Sequence, residues 1–185
     1  MEHLRVLDLS NNRKIKRLPY SVCKLQNLQV FSASGCMELQ TLPTGFGMLM
    51  NLQVLKRNTR QSFVSLNEFA KLRYLQTLSF DYCVNLKFLL GKEQFTPLSS
   101  LQILVVRSCG SLESLPLYIL PKLDSLYVAD RGMLNLFLDD NSPTERLRMK
   151  FLLVENFPRL MSLSGWIEGA ADTLQTLIIY NMPEL

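Results

Sequence analysis

Large apolar residues, mostly leucine, return along this chain at a fixed spacing. The pattern LxxLxLxxN/CxxLxxL begins again every 22 to 26 residues. Its eight starting positions are Leu4, Leu28, Leu52, Leu75, Leu101, Leu123, Met149 and Leu174. Recurrence of one unit at such a period is typical of a solenoid, in which each unit packs against the next.

Each unit contains a short stretch with the alternation of a β-strand. The two apolar residues of LxL point to one face of a strand, and the residue between them points to the other. One unit cannot cover its own apolar face, so neighbouring strands are expected to pair side by side in a parallel sheet. The predicted fold is an α/β solenoid, a right-handed superhelix with the parallel sheet on its concave face and mostly irregular or short helical convex segments. One domain is expected over 1–185, with about eight repeats and the last incomplete.

The ninth position of the unit predicts a structural role for three of the four cysteines. It holds Asn12, Cys36, Cys83 and Cys109. A small donor there can satisfy backbone carbonyls where the chain leaves the strand. The cysteine spacing fits the repeat better than a metal site or a disulfide. Cys23 lies in a connecting segment and is expected to be a packed or half-exposed thiol, and four free thiols suggest a reducing compartment.

The sequence offers no catalytic constellation and no cofactor motif. The single histidine, His3, has no Ser or Cys arranged around it in a recognisable way, and no GxxxxGK[ST] phosphate loop occurs. We therefore expect no enzyme activity, no cofactor and no metal. Neither a signal peptide, a membrane span nor an N-glycosylation acceptor is visible. These features together predict a cytoplasmic protein.

Charge is unevenly distributed along the chain. Residues 1–74 carry 11 Lys/Arg against 4 Asp/Glu, whereas residues 75–185 carry 9 against 12. Five cations of the first repeat and its connecting segment form what we call the basic patch: Arg13, Lys14, Lys16, Arg17 and Lys24. Such a patch attracts acidic protein, nucleic acid or anionic lipid. Nucleic acid is disfavoured because no aromatic stacking platform accompanies the charges, and a merely solvated face is the alternative.

Two stretches depart from the pattern. Arg57 and Arg60 occupy positions that hold an inward apolar residue and the ninth-position Asn or Cys in other units. An unpaired buried arginine is costly, so residues 56–62 are expected to leave the regular coil, or both guanidiniums to turn outward. Phe63, Leu66 and Phe69 should then rejoin the core. The stretch Asp139–Arg146 is predicted to be a solvated turn on the outer wall.

The outward residues change from polar to apolar along the chain. The residue between the two leucines of each repeat runs Asp8, Ser32, Lys56, Ser79, Val105, Tyr127, Leu153, Ile178, and the next outward residue runs Ser10, Ser34, Asn58, Asp81, Arg107, Ala129, Glu155, Tyr180. A contiguous apolar strip with Tyr and Arg anchors is typical of a binding surface. The predicted partner-binding residues, called the concave patch, are Val105, Arg107, Tyr127, Leu153, Glu155, Ile178 and Tyr180. The alternative is packing against further repeats or a neighbouring domain.

Several phrases resemble one family closely. LDLSNN and LPxSxxKLxNLQ around Leu7 to Leu28, SGCxxLxxLP around Ser34 to Pro43, and the closing TLQTLIIYNMPEL look like the leucine-rich repeats of plant disease-resistance proteins of the nucleotide-binding class, coiled-coil branch. The resemblance covers nearly the whole chain. It implies plant innate immunity, with recognition of a pathogen effector or a modified host protein. It also implies that the basic first repeats restrain a nucleotide-binding module, which this chain does not contain.

Two further expectations follow. A substrate-recognition repeat arm of a ubiquitin ligase is the alternative function, because such arms also carry Cys at the ninth position. The chain begins inside a first strand and stops midway through its eighth unit, so neither end has the polar cap of a free-standing solenoid. It reads as a fragment, and exposed apolar edges predict self-association or marginal stability.

Overall fold

Eight short strands form most of the regular structure in the part of the chain that is described. The computed structural model describes residues 3–61, 64, 69, 71–87, 89, 98–113, 115, 117, 120–129, 148–157 and 170–185. The strands are β1 (Val6–Asp8), β2 (Val30–Ala33), β3 (Val54–Arg57), β4 (Thr77–Asp81), β5 (Ile103–Arg107), β6 (Ser125–Ala129), β7 (Phe151–Glu155) and β8 (Thr176–Tyr180). One strand falls in each unit that the leucine pattern marks out.

The strands form one parallel sheet in chain order, from β1 to β8. Their register aligns equivalent positions of every repeat, so that Leu104 of β5 lies opposite Leu78 on one side and Leu126 on the other. The carbonyl before each strand accepts two N–H donors of the next repeat. That of Gln29, for example, accepts from Gln53 at 2.8 Å and Val54 at 3.0 Å. This arrangement confirms the predicted solenoid with a parallel sheet and few helices.

The core is a continuous spine of side chains behind the sheet. The first inward position is filled by Leu7, Phe31, Leu55, Leu78, Leu104, Leu126, Leu152 and Leu177. From β2 to β7 these residues are at most 2 % exposed, and each such burial stabilises the fold by about 1.5–3 kcal/mol. The connecting segments include two 3-10 helices, Tyr20–Lys24 and Phe46–Met48. The ring of Phe46 packs edge-on against that of Phe31, with centroids 5.2 Å apart.

The ninth-position side chains donate hydrogen bonds to backbone carbonyls, as predicted. The Cys36 thiol lies 3.0 Å from the Leu9 carbonyl oxygen, and the Cys109 thiol lies 3.3 Å from that of Arg107. All four cysteines are buried, and none of them forms a disulfide. Cys23 is therefore a packed thiol, and its Sγ lies 3.9 Å from the Thr44 carbonyl oxygen. Burial raises the pKa of the Cys36 thiol.

The expectation for Arg57 was wrong. Arg57 belongs to β3, lies in register between Ala33 and Phe80, and is only 1 % exposed. Its Nε donates to the Asn58 carbonyl oxygen at 3.4 Å. Strand β3 pairs with β2 on one side and with β4 on the other. Because this pairing fixes the register, it also fixes the face of the sheet on which the Arg57 side chain lies. Arg60 is exposed, as expected.

The departure from the regular coil lies at Asn58, two residues later than the predicted start at Lys56. Strands β4 to β8 extend one residue beyond the second inward position, whereas β2 and β3 end at that position and β1 ends before it. In other repeats a residue with a left-handed backbone follows the strand, and its N–H donates to a carbonyl of the next repeat, as Ser108 donates to Ala129. Gly35 is the equivalent residue of the second repeat, but its N–H donates to the side-chain Oδ1 of Asn58 in the third repeat, at 2.7 Å. The buried Asn58 amide thus substitutes for a backbone acceptor.

Some expectations concern residues that the structure does not describe. The turn at Asp139–Arg146 and the return of Phe63 and Leu66 to the core lie outside the described residues. Phe69 is described, and it is buried as expected at 1 % exposure.

Candidate functional site

The face of the sheet opposite the core carries three parallel columns of side chains. The middle column, aligned by strand pairing, is Asp8, Ser32, Lys56, Ser79, Val105, Tyr127, Leu153 and Ile178. The strand-end column includes Asp81, Arg107, Ala129, Glu155 and Tyr180, again as direct neighbours. The structure therefore places the seven residues of the concave patch on one surface, with Ala129 among them.

Exposure across the concave patch increases toward its last strand. Val105, Tyr127 and Leu153 are half-buried between their neighbours. Ile178 is 40 % exposed and Tyr180 is 64 % exposed. The patch is thus a continuous apolar strip, with charged and phenolic groups along its strand-end side.

Sequence reasoning missed a third outward column. It lies one position before the first inward leucine and holds Val6, Val30, Val54, Thr77, Ile103, Ser125, Phe151 and Thr176. The rings of Phe151 and Tyr127 stack with centroids 4.7 Å apart and an interplanar angle of 30°. Stacking of this kind widens the apolar strip and stiffens Tyr127. The signal was present as the repeated Val, Ile or Phe directly before that leucine.

The N-terminal half of the concave face is a hydrogen-bonded polar surface. The Asp8 Oδ1 accepts from the Ser10 backbone N–H at 2.8 Å, and the hydroxyls of Ser10 and Ser32 lie 2.7 Å apart. Hydrogen bonding from Ser10, through its hydroxyl and its backbone N–H, lowers the pKa of the Asp8 carboxyl. This half is more hydrophilic than the strip that follows it.

A second polar cluster surrounds Asp81 at the border between the two halves. Its Oδ2 accepts from the hydroxyls of Ser34 and Ser79, each at 3.1 Å, and its Oδ1 lies 3.1 Å from Nε of Arg107. Ser34 belongs to the second repeat and Asp81 to the fourth. The contact spans the third repeat, whose equivalent residue, Asn58, is buried.

A groove of about 790 Å³ follows the carboxyl ends of the strands. It is lined by Ser10, Asn11, Arg13, Ser34, Gly35, Met37, Asp81, Tyr82, Val84, Arg107, Ser108, Gly110, Ala129, Glu155 and Asn156. Tyr82 and Val84 are more than half exposed there. The groove thereby connects one member of the basic patch, Arg13, with two members of the concave patch.

The basic patch is entirely exposed. Arg13, Lys14, Lys16 and Arg17 follow β1 in the first repeat, and Lys24 ends the 3-10 helix Tyr20–Lys24. Nζ of Lys16 lies 3.7 Å from Glu38, a contact between side chains that are 71 % and 39 % exposed. Such a solvent-screened pair contributes little to stability. The five cations are consequently open to a partner.

In the part of the chain that the structure describes, no three His, Cys, Asp or Glu side chains come together in a way that could hold a metal ion. Within the same ranges, no helix has the length and apolar character needed to cross a bilayer.

Comparison with known proteins identifies the class of this solenoid. The model of a leucine-rich repeat region matches residues 1–182, and the chain therefore belongs to the leucine-rich repeat family. No curated protein gave a match. Leucine-rich repeat domains bind proteins, and the repeat fold is generally a non-catalytic scaffold. The domain is accordingly suited to protein interaction.

Proposed function

We propose that this chain is the non-catalytic protein-recognition module of a cytoplasmic plant immune receptor. It senses a pathogen effector or a modified host protein through the concave patch, and it restrains a nucleotide-binding module through the basic patch. The phrases LDLSNN, SGCxxLxxLP and TLQTLIIYNMPEL support the assignment to this class of receptor.

The observation that carries the recognition role is the apolar half of the concave face. Val105, Tyr127, Leu153 and Ile178 are neighbours on four successive strands, and Phe151 stacks on Tyr127. Burying such a strip against a partner releases water from a wide, rigid surface, and Tyr and Arg are favoured anchors in protein interfaces. Four strands at a spacing of about 4.8 Å match the footprint of a protein segment better than that of a metabolite.

The exposure of the basic patch supports the restraining role. All five cations are exposed in a region whose first 74 residues carry 11 Lys/Arg against 4 Asp/Glu. A positive surface of this kind attracts an acidic face on a neighbouring module, with a strength that falls as salt is added.

A pull-down with purified modules tests the restraint. We expect the chain to retain a nucleotide-binding module of a coiled-coil-type plant resistance protein, and the triple reversal Lys14→Glu, Lys16→Glu, Arg17→Glu to abolish retention at low salt. The matched control reverses three exposed cations elsewhere, Lys87→Glu, Lys122→Glu and Arg148→Glu. Equal loss in both triple variants, or retention by the first, would contradict a restraint through the basic patch.

The cysteines at the ninth position favour a second candidate, the substrate-recognition arm of a ubiquitin ligase. Such arms also carry Cys at the ninth position, where Cys83 and Cys109 of this chain donate to backbone carbonyls. The sequence encoded upstream of Met1 separates the two candidates. A phosphate loop in that region would support the receptor, whereas a set of F-box-like helices would support the ligase arm.

A further inference from the structure

Arg107 is held in a fixed orientation by a carboxylate that is itself fixed. Nε of Arg107 lies 3.1 Å from Oδ1 of Asp81, whose other oxygen accepts from the hydroxyls of Ser34 and Ser79 at 3.1 Å each. The side chain of Asp81 is 12 % exposed, and that of Arg107 is 58 % exposed. The acid is therefore enclosed by donors, while the guanidinium faces the groove.

The contact with Asp81 is made through Nε of Arg107. A guanidinium has five N–H donors in a planar fork, and Nε supplies one of them. The two terminal amino groups project away from Nε, and their spacing matches the two oxygens of a carboxylate. Because the fork is already oriented, little side-chain entropy is lost when a second anion binds.

The surroundings of Arg107 define what can bind there. Ala129 follows in the strand-end column and Glu155 follows Ala129, so the backbones of Arg107 and Glu155 stand about 9.6 Å apart at ordinary strand spacing, with a methyl group between the two side chains. Val105 and Tyr127 form the apolar surface next to this gap. The Oε1 of Glu155 accepts from the Asn156 side chain at 3.1 Å.

The balance of charge disfavours a doubly negative ligand. The charged groups that line the groove are Arg13, Arg107, Asp81 and Glu155, so two cations accompany two anions. A phosphate dianion usually requires several cations, which this part of the groove does not supply. A carboxylate carries one charge and fits one guanidinium fork.

We infer that Arg107 binds an aspartate or glutamate side chain of a polypeptide partner, that an adjacent apolar side chain of the same partner packs on Tyr127 and Leu153, and that Asp81 is the positioning residue for Arg107. This inference rests on the proposed recognition role of the concave patch and adds the chemistry of the segment it accepts. Ala129 leaves room for the partner's chain between Arg107 and Glu155.

Selection from a displayed library of random twelve-residue peptides on the 185-residue chain tests the inference. Bound peptides are expected to share an Asp or Glu beside an aromatic or aliphatic residue. Changing that acid to its amide should weaken binding about tenfold or more, the effect of losing one charged hydrogen-bonded contact. Arg107→Gln should remove the difference between acid and amide peptides.

Two variants separate positioning from a general structural effect. Asp81→Asn and Ser34→Ala should weaken binding of the acid peptide while leaving its amide twin unchanged, because only the orientation of Arg107 is altered. A structural role would weaken both peptides alike. Circular dichroism of each variant verifies that the solenoid remains folded, and Ser34→Ala keeps the test valid if Asp81→Asn does not fold.

The outcomes distinguish this inference from the proposed function. Two results overturn the inference but leave the recognition role standing. In the first, peptide binding depends on Tyr127 and Leu153 but shows no preference for an acid. In the second, the preference for an acid persists in Arg107→Gln. Selected peptides that bind equally well to Tyr127→Ala with Leu153→Ser contradict the recognition role itself. An acid preference that depends on both Arg107 and Asp81 supports the inference.

Discussion

At the scale of single residues, serine hydroxyl groups form hydrogen bonds to two carboxylates of the concave face. Asp8 accepts hydrogen bonds from Ser10, and Asp81 accepts from Ser34 and Ser79. Hydrogen bonds to the ionised form favour it. The charged form of Asp8 is therefore favoured, and the carboxylate of Asp81 is held in place by two hydroxyl groups.

The first residue-scale prediction concerns the titration of Asp8. Its pKa in the folded protein lies below the ordinary value, because the Ser10 hydroxyl and backbone N–H bond to the carboxylate. Its contribution to stability is thus present above the ordinary pKa and is lost as the pH falls through the lowered one. NMR titration of the carboxyl carbon should show this low midpoint, and Ser10→Ala should raise it. An unchanged midpoint in Ser10→Ala would count against the Ser10 hydroxyl as the main cause.

The second residue-scale prediction concerns Gly35. It has φ +74°, and a Cβ there would collide with Oδ1 of Asn11 in the preceding repeat. Gly35→Ala should lower the free energy of unfolding by about 1–3 kcal/mol, measured by urea denaturation. Gly110→Ala is the control, since Gly110 is exposed and is not among the residues with positive φ. Equal effects at the two glycines would show that the left-handed turn is not what constrains Gly35.

At the scale of elements, the leucine spacing was sufficient to place the strands and their inward faces. Leu104 and Val106 point into the core because the period of a strand is two. The burial of Arg57 could not be predicted from its chemistry, since the pairing of β3 with β2 and β4 holds it inward. The third outward column was missed because counting began at the leucine after Val6 rather than at Val6 itself.

Strand β3 yields a prediction about stability. Burial removes water from the Arg57 guanidinium, whereas the same inward position holds Phe80 and Val106 in the following strands. Arg57→Leu should raise the free energy of unfolding by about 1–3 kcal/mol, because it removes the cost of keeping a guanidinium away from water and puts an apolar side chain at an inward position. Urea denaturation is the measurement. Arg60→Leu, at an exposed site, should change the value by less than about 0.5 kcal/mol, and a loss of stability in Arg57→Leu would contradict this account of β3.

At the scale of the whole molecule, the sheet gives a polar half and an apolar half on one surface. The middle column predicted this change from sequence, since its residues pass from Asp8 and Ser32 to Tyr127 and Leu153. The link between Ser34 and Asp81 was not predictable, because it spans a repeat and depends on the burial of Asn58. The groove was not predictable for the same reason, because residues from several repeats line it.

The edge of the sheet at β8 predicts association between chains. Leu177 and Ile179 occupy core-facing positions, yet they are 37 % and 39 % exposed. Unpaired strand edges with exposed apolar residues favour pairing with another chain. Sedimentation velocity should show concentration-dependent association, and Leu177→Glu with Ile179→Glu should suppress it. A monomer at all concentrations for the unmodified chain would contradict the prediction.

The most direct test of the account asks whether the apolar half of the concave face binds protein. Two double variants are compared: Tyr127→Ala with Leu153→Ser on the concave face, and Tyr20→Ala with Met48→Ser, an exposed pair on the 3-10 helices whose side chains lie 3.8 Å apart. Calorimetry measures their affinities for one peptide selected on the unmodified chain. The account predicts binding about 100-fold weaker for the concave variant and nearly unchanged for the other. Undiminished binding by the concave variant would contradict it.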